Sequence, residues 1–356
     1  MSQTRQFISL DQAQAPFFVG LDLGGTNIKV GVVDDGGRPL SWLSIPTDPD
    51  KGPEDAAARM GQAVKQAVDQ AGLEPSAVAR VGLGSPGTMD IPAGMLIEPV
   101  NLKGWDYFPI RDRVSHHAGL PVAFINDAAA AAYGEYWIGA GREFHSLVLF
   151  TLGTGIGCGI IIGDLSIDGE NSHGAECGHI IVDYAEDARL CGCGQPGHLE
   201  AYASATALSR RADEVLSTRL REKTSLRQRI DQEQQKPEED RRGVPELVAA
   251  EAEAGDPLAM NLILETARYL GIGIVNLMHT IDPNGVLLGG AMTFGGNDSE
   301  VGRKFLDRIK QEVNRRAFGV LAERTTIDFA TLGGDAGYIG AAGIARVEHR
   351  QKGGSP

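Results

Sequence analysis

The sequence predicts an α/β protein whose two halves repeat one structural device. Short apolar runs typical of strands alternate with segments of helical spacing along most of the 356 residues. An apolar strand, a glycine turn and a second apolar strand occur at DLGGT from Asp22, and again at TLGTG from Thr151. The length suits two domains, so the repeat predicts an internally duplicated fold with two facing phosphate loops.

The composition argues against several classes of protein. A net charge of −14 disfavours a partner bound through general attraction to phosphate, such as nucleic acid. Four cysteines are too few for a disulfide-framed secreted domain. The apolar runs stop far short of the roughly 20 residues of a membrane span, and the first sixteen residues contain no apolar signal core. We therefore expect a cytoplasmic protein with no membrane partner.

The first predicted elements are a strand pair and a helix. Residues 16–40 read as a β-hairpin around the first glycine turn, and residues 54–72 have helical spacing. Two buried strands follow. The second of them, VAFIND, runs into an alanine-rich helix for which Asn126 or Asp127 is the predicted N-cap.

The second half opens with LVLFTLGTGIGCGIII, which reads as two strands joined by the second glycine turn. The charged segment 209–242 is predicted to be an exposed helical excursion. Residues 246–280 read as further helices, PNGVLLGGAM as a strand entering a glycine turn, and GDAGYIGAAGIARV as a closing helix.

The two glycine turns are candidate phosphate loops. N–H groups in such a turn can point inward at phosphate oxygens, and a threonine hydroxyl adds a donor. Asp22, just before the first turn, is placed to orient a hydrated Mg²⁺. Each turn alone also fits a tight hairpin, but two in one chain suit the two sides of a triphosphate. GLGSPG from Gly82 has dinucleotide-fingerprint spacing, yet the TMDIPAGM after it is no helix, which disfavours an NAD site.

Asp127 is a candidate general base. It lies at the end of a strand and the start of a helix, where the helix dipole keeps a carboxylate ionised. Such a carboxylate can accept the proton of a substrate hydroxyl as its oxygen attacks phosphorus. The alternative is that Asp127 only caps the helix.

The stretch CGCGQPGHLE is a candidate metal clip, because its two cysteines lie one residue apart and a histidine follows. With an upstream histidine, the set of nitrogen and sulfur donors is His179, Cys191, Cys193 and His198. Four such donors with no obvious open position fit a closed structural Zn²⁺ site. The alternative is coincidence in a glycine-rich loop.

Together these motifs resemble the ROK family of sugar kinases and sugar-responsive repressors, particularly its glucokinase branch. The resemblance runs from about Val19 to Ala345, leaving out most of the charged segment. The motifs that agree in order are DLGGTN, GSPG, NLKGW, NDAAAAAYGE, LGTGIG, the GH motif ending at His179, the cysteine loop and LLGGA. The resemblance implies an actin-like ATPase (ribonuclease H-like) duplicated α/β fold, with two lobes and a central nucleotide and sugar cleft.

The resemblance also implies a role for each matching residue, with Asp127 as the catalytic base. The implied contacts to ATP and Mg²⁺ fall on Asp22, Gly24, Gly25, Thr26, Asn27, Gly153, Thr154, Gly155, Gly157, Gly289 and Gly290. The implied sugar contacts fall on Gly87, Asn101, Asn126, Asp127, Glu176, His179 and Glu200. The implied zinc ligands are His179, Cys191, Cys193 and His198, and the last departs from the family's cysteine. Imidazole is a competent ligand, but this set carries one less negative charge.

By the same resemblance we expect a small lobe and a large lobe, and a homodimer. The expected ranges are a tail 1–16, a small lobe 17–127 completed by helix 336–348, a large lobe 128–335 with zinc loop 179–198 and charged insertion 209–243, and a tail 349–356.

The expected activity is phosphorylation of a hexose by ATP at its 6-hydroxyl, with glucose as the sugar. Fructose, mannose, N-acetylmannosamine and N-acetylglucosamine stay open as substrates, and polyphosphate as a donor. Two rivals are a sugar sensor without catalysis and a DNA-binding regulator. For the regulator we expect a helix-turn-helix domain, and only about twenty residues precede Gly24.

Overall fold

The computed structural model describes residues 5–99, 102–218 and 223–353, and the chain divides into two compact units. Unit 1 contains the described residues up to Leu149, together with Gly159–Ala175 and the described residues from Ala330 onward. Unit 2 contains Phe150–Cys158 and Glu176–Phe329. The division falls after Leu149 and not after residue 127, because the helix that begins at Asp127 packs against the closing helix of unit 1.

The strands and helices of the described residues follow the predicted α/β alternation. The strands are β1 (Phe17–Leu23), β2 (Asn27–Val33), β3 (Pro39–Pro46), β4 (Val78–Ser85), β5 (Met89–Asp90), β6 (Met95–Leu96), β7 (Val122–Asn126), β8 (Ser146–Leu152), β9 (Ile156–Ile162), β10 (Leu165–Ser166), β11 (Gly285–Gly289) and β12 (Thr326–Phe329). The helices are α1 (Pro53–Gln70), α2 (Ile110–Ala118), α3 (Asp127–Trp137), α4 (Glu200–Ala203), α5 (Ala205–Thr218), α6 (Ser225–Gln234), α7 (Val244–Glu253), α8 (Pro257–Ile281), α9 (Glu300–Arg316), α10 (Gly319–Arg324) and α11 (Ala336–Gln351).

Two five-stranded sheets carry these elements. The first has the order β3-β2-β1-β4-β7, and the second has the order β10-β9-β8-β11-β12. β1 pairs antiparallel with β2, which confirms the predicted hairpin around the first glycine turn. β4 and β7 run parallel to β1, so their carboxyl ends lie at the same sheet edge as Asp22. The segment after β4 forms the β5–β6 hairpin, as expected for a chain without the dinucleotide helix.

The closing helix α11 lies directly on the first sheet, opposite the face that α1 and α2 cover. Its approach requires glycine in the strands beneath it. A Cβ at Gly20 would lie 1.7 Å from the carbonyl oxygen of Tyr338, and one at Gly82 would lie 1.8 Å from that of Ala341. The same approach brings the N-terminal turn of α11 onto Asp22, where a Cβ at Gly337 would lie 2.6 Å from the carboxylate.

Residues 5–16 are not a free tail. Arg5 pairs with Asp335 at 2.8 Å, and its guanidinium lies 3.6 Å from the centre of the Trp42 ring. The N–H of Ile8 donates to the carbonyl of Pro39 (2.9 Å). At the other end α11 continues to Gln351, so the expected tail from residue 349 begins as helix. Residues 1–4 and 354–356 lie outside the described residues.

The charged segment is helical as predicted, but it is not exposed throughout. In α5, Arg211 is buried and donates a hydrogen bond to Thr266. In α6, Leu226 is fully buried, and Glu233 is 3% exposed. The prediction of exposure was wrong because these helices are amphipathic: the charge count of the segment hides the apolar positions that pack inward.

Helix α8 is apolar over much of its length, although polar and charged residues interrupt its apolar runs. Among the described residues this helix is long and apolar enough to cross a membrane, with a mean hydropathy of 1.3 over its most apolar window. However, 61% of that window is buried inside the protein, and α8 packs against α9 and α7. This burial is that of a core helix, a class that passes the same test of length and composition.

Glu135, in α3, is fully buried and fastens this helix to the chain ahead of α11. Its carboxylate accepts hydrogen bonds from the N–H groups of Ala140 (2.9 Å), Thr331 (2.9 Å) and Leu332 (2.6 Å). We expect Glu135→Ala to lower the free energy of unfolding by about 3 kcal/mol, because three N–H groups lose a charged acceptor. Urea denaturation followed by circular dichroism measures this loss.

The matched control is Glu143→Ala, because the Glu143 side chain is 84% exposed. This variant should stay within about 0.5 kcal/mol of the unchanged protein. Equal stability of the two variants would reject a structural role for the Glu135 carboxylate.

Candidate active site and metal centre

The first glycine loop is an exposed turn whose backbone carbonyls accept hydrogen bonds from a buried residue. The N–H of Gly24 donates to the carbonyl of Asn27 (3.0 Å), which closes the turn. The buried Thr47 donates its hydroxyl to the carbonyl of Gly24 (2.6 Å) and its N–H to that of Thr26 (2.8 Å). Gly25, Thr26 and Asn27 are exposed. These contacts fix the backbone of the loop while leaving its outer face open to a ligand.

Asp22 lies at the carboxyl end of β1 next to a lysine from the neighbouring strand. Its Oδ2 lies 3.3 Å from Nζ of Lys29, and the same ammonium group donates to the carbonyl of Gly334 (2.9 Å). Burial raises the pKa of Asp22 above its usual value, while the charge of Lys29 and its hydrogen bond act in the opposite direction. An oxygen donor fixed in this way suits a hard cation such as Mg²⁺ or its water shell.

Asn126 and Asp127 take different positions at the start of α3. Asn126 is the N-cap, since its Oδ1 accepts from the N–H groups of Ala128 (2.9 Å) and Ala129 (3.2 Å). Asp127 is the first helical residue and is half-buried, and its Oδ1 accepts from the N–H of Ala128 (2.8 Å). Capping is therefore done by Asn126, so the interpretation of Asp127 as only a cap loses its main support.

The second glycine loop lies against two other predicted nucleotide residues. Its turn is closed by the N–H of Gly153, which donates to the carbonyl of Gly155 (3.0 Å). The preceding residue, Leu152, accepts at its carbonyl from the N–H of Met292 (3.0 Å). Gly290 has a φ of +88°, and a Cβ there would lie 2.4 Å from the same carbonyl oxygen. The fold thus places the glycine pair Gly289 and Gly290 beside the second loop.

The four predicted zinc ligands converge. One donor atom from each of His179, Cys191, Cys193 and His198 lies within 4.8 Å of the others. The two Nδ1 atoms of the histidines are 3.3 Å apart. Cys191 Sγ is 3.7 Å from His179 Nδ1, and Cys193 Sγ is 3.2 Å from His198 Nδ1. Zn–S bonds of about 2.3 Å and Zn–N bonds of about 2.0 Å place tetrahedral donors roughly 3.3–3.8 Å apart, so this set fits zinc.

The chemistry of the donors agrees with this geometry. Burial raises the pKa of the Cys191 thiol to about 12, so in the absence of a cation this group keeps its proton near neutral pH. Burial, and then the neighbouring His179, lower the pKa of His198, which favours the neutral imidazole that binds metals. A bound Zn²⁺ would displace the thiol proton.

The loop between these ligands is shaped by residues outside the metal set. Tyr202 accepts at its hydroxyl oxygen from the N–H of Arg189 (2.8 Å) and donates its hydroxyl to Asp183 (2.7 Å). Gly197 has a φ of +80°, and a Cβ there would lie 1.9 Å from the carbonyl oxygen of Asp183. The loop is therefore organised by its own contacts as well as by its four donors.

Two residues predicted to bind the sugar, Glu176 and Glu200, lie next to the four zinc donors. His179 Nδ1 belongs to the donor cluster, and its Nε2 lies 3.9 Å from Oε2 of Glu176. Glu200, the first residue of α4, lies with Oε1 3.5 Å from Cys191 Sγ. Its Oε2 accepts from the N–H of Ile156 (2.9 Å), at the end of the second glycine loop. The residues predicted to bind the sugar therefore lie directly beside the predicted zinc ligands.

Gly87 is the remaining predicted sugar residue that the structure describes, and it lies in unit 1. Gly87, with a φ of +93°, faces Pro99, and a Cβ there would lie 2.7 Å from Pro99 Cα. Asn101 lies outside the described residues. An open cavity of about 540 Å³ next to it in the sequence is lined by Glu98, Pro99, Lys103, Gly104, Asp106 and Tyr107.

Sequence reasoning missed Lys29, Thr47 and also Thr206, whose hydroxyl donates to the carbonyl of Thr154 (2.8 Å). Each supports a candidate site residue through a contact with a part of the chain that is distant in sequence, and neither motif nor periodicity marks such contacts. Only the lysine carried a weak signal, because the hairpin register places it opposite Asp22.

Comparison with known proteins finds likeness along almost the whole chain. A model of the ROK family matches residues 18–348. The chain is 32% identical over 334 residues to a glucokinase of Halalkalibacterium halodurans, covering 93% of this chain and 96% of the relative. Among crystal structures, a ROK hexokinase from Thermus thermophilus has a TM-score of 0.77 at 33% identity, covering 94% of this chain and 99% of its own.

A second similar crystal structure contains ligands. It is a ROK family glucokinase from Streptomyces griseus in complex with glucose and AMPPNP, with a TM-score of 0.71 at 35% identity, covering 93% of this chain and 99% of its own. These likenesses confirm the predicted actin-like α/β fold class.

Proposed function

The chain belongs to the ROK family, and from this premise we propose that it is a glucokinase, which transfers the γ-phosphoryl group of ATP to the 6-hydroxyl of glucose. The observation that carries the proposal is its likeness, over more than nine-tenths of the chain, to a glucokinase that binds glucose and AMPPNP. The chain's own residues support the same chemistry: a carboxylate at a strand end, two glycine loops and a closed donor set for zinc.

In the proposed reaction Asp127 takes the proton of the sugar hydroxyl. It is half-buried at the N-terminus of α3, where the helix dipole favours its ionised form. Because Asn126 caps the helix, we assign the Asp127 carboxylate to the sugar hydroxyl. The hydroxyl oxygen becomes a better nucleophile as its proton leaves, and ADP is the leaving group.

The two glycine loops would bind the negatively charged phosphates of ATP. Residues 24–27 and residues 153–157 offer backbone N–H groups and threonine hydroxyls, which donate to phosphate oxygens without adding charge. Mg²⁺, when bound, would neutralise charge on the phosphates, and Asp22 is the residue placed to orient its water shell. Gly289 and Gly290 would flank the adenosine.

Sugar hydroxyls would be read by residues beside the metal centre and at the end of β7. Glu176, His179 and Glu200 offer two carboxylates and one imidazole nitrogen, and we include Gly87, Asn101 and Asn126 in the sugar site. Zn²⁺, held by His179, Cys191, Cys193 and His198, would fix the orientation of the His179 ring. Nε2 of that ring then stays available for a sugar hydroxyl.

The proposal also includes a cytoplasmic location, a role in glycolysis and a homodimer. A glucokinase needs ATP and produces an intracellular sugar phosphate, and the chain's four cysteines form no disulfide among the described residues. Gel filtration with light scattering tests the dimer, and a monomer at micromolar concentration would reject it.

The function is tested by ADP release from purified protein with MgATP and a panel of sugars: glucose, mannose, fructose, N-acetylglucosamine and N-acetylmannosamine. We expect glucose to give the highest kcat/KM, and polyphosphate to replace ATP poorly. A higher kcat/KM with another sugar would correct the substrate and keep the kinase. Glucose binding without turnover on any sugar would replace the kinase with a sensor.

A further inference from the structure

The second glycine loop is hydrogen-bonded to the residues that follow the predicted zinc ligands in the sequence. The carbonyl of Gly153 accepts a hydrogen bond from the N–H of Ala205 (2.9 Å). The carbonyl of Thr154 accepts from the hydroxyl of Thr206 (2.8 Å) and, at 3.4 Å, from the N–H of the same residue. Ala205 and Thr206 open α5, shortly after the zinc donor His198.

These bonds decide which way the loop's N–H groups face. A peptide unit is planar and trans, so its N–H points away from its own carbonyl. The peptide between Gly153 and Thr154 directs its carbonyl at Ala205, and the next peptide directs its carbonyl at Thr206. The N–H groups of Thr154 and Gly155 therefore point away from α5, and Thr154 is exposed. Successive N–H groups that point the same way form a concavity for an anion.

We propose that Thr206 is a positioning residue for ATP: its hydroxyl holds the Thr154 carbonyl and thereby aims the Gly155 N–H at the phosphates. The inference rests on the proposed function, because it needs an ATP-binding loop at residues 153–157. Thr206 acts through the backbone of this loop. Its removal therefore weakens nucleotide binding and leaves the sugar-reading side chains in place.

A second contact braces the same loop from the zinc side. Oε2 of Glu200 accepts from the N–H of Ile156 (2.9 Å), while Oε1 lies 3.5 Å from Cys191 Sγ. Residues 200–206 thus hold the loop at both ends of its turn. Thr47 makes the equivalent contacts with the first loop, through its hydroxyl to Gly24 and its N–H to Thr26. In each unit, a threonine hydroxyl therefore donates a hydrogen bond to a carbonyl of the glycine loop.

The test compares Thr206→Val with Thr206→Ser in the full-length, zinc-loaded protein. Valine keeps the shape and removes the hydroxyl donor, whereas serine keeps the donor. Thr206 is exposed, so neither change removes core packing. Isothermal titration with AMPPNP and with glucose gives the two affinities, and steady-state kinetics separate KM for ATP from kcat.

We expect Thr206→Val to raise the Kd of AMPPNP and the KM for ATP about fivefold, the effect of one ordinary hydrogen bond. The Kd of glucose and the zinc content should not change, and Thr206→Ser should behave as the unchanged protein. Unchanged AMPPNP affinity in Thr206→Val would overturn the inference, and so would an equal loss of glucose affinity, which would indicate general damage. If the protein without any substitution binds no AMPPNP, the proposed ATP-dependent function is rejected together with this inference.

Discussion

Replacing Asp127 by asparagine should lower kcat about 10²–10⁴-fold, the range that a positioned general base contributes. Asparagine has nearly the same shape, and its side-chain oxygen can still accept from the N–H of Ala128, as Asp127 Oδ1 does at 2.8 Å. Asn126 continues to cap the helix. The change thus removes the negative charge and the proton acceptor while it keeps the size of the side chain. Coupled-assay kinetics give kcat, and calorimetry should show that the Kd of glucose changes only slightly.

The control for this variant is Asp112→Asn. Asp112 also lies in the first turn of a helix, α2, and its side chain is 63% exposed. Its replacement should leave kcat and the Kd of glucose unchanged. If Asp127→Asn keeps kcat within about tenfold of the unchanged protein, Asp127 is not the base. A large loss of glucose affinity would instead mean that the carboxylate acts mainly in binding.

Replacing His198 by alanine should weaken Zn²⁺ binding by more than about 100-fold, since even the loss of a residue that only orients a ligand costs up to that amount. His198 Nδ1 lies 3.3 Å from His179 Nδ1 and 3.2 Å from Cys193 Sγ. The remaining three donors leave one position of the tetrahedral shell without a protein ligand. His179 then loses the bond that fixes its ring, so the Kd of glucose should rise about tenfold. Competition with a chelating dye measures the zinc affinity.

Two further variants define what the His198 result means. His198→Cys supplies the cysteine that the resemblance to the family implies at this position and adds one negative charge, so it should hold Zn²⁺ more tightly than the unchanged protein. His116→Ala, in the last turn of α2, should change neither zinc nor glucose binding. Full zinc content in His198→Ala would contradict the four-donor site, and zinc loss without any change in glucose affinity would separate the metal from the sugar pocket.

The candidate site could be predicted from the sequence wherever its chemistry is local. Glycine turns after apolar strands, the carboxylate at the end of VAFIND, and cysteines one residue apart are all properties of short stretches. The structure brings some of these residues together, while their functional roles stay predictions. The four zinc donors converge within 4.8 Å, and Asn126 caps α3. The sequence left two interpretations of Asp127 open; the structure gives the cap to Asn126, and the role of Asp127 as the base stays a prediction.

The predictions that were wrong had inferred burial or exposure from the composition of a segment. The charged segment was expected to be exposed, yet Leu226 and Glu233 are buried in α6. The first sixteen residues carry no strong pattern, yet Arg5 is held by Asp335 and Trp42. Counting residue types gives the average character of a stretch, whereas burial depends on which face of each helix meets the core.

The sequence by itself determined the candidates for the chemistry: the two glycine loops, Asp127 and the four donors proposed for zinc. Only the tertiary structure decided what holds them in place: Lys29 pairs with Asp22, Thr47 and Thr206 bind the carbonyls of the two loops, and Glu135 ties α3 to the chain before α11. The physical reason is range. Turn chemistry and periodicity act over a few residues, whereas a hydroxyl or carboxylate that holds a distant backbone finds its partner only after the chain has packed.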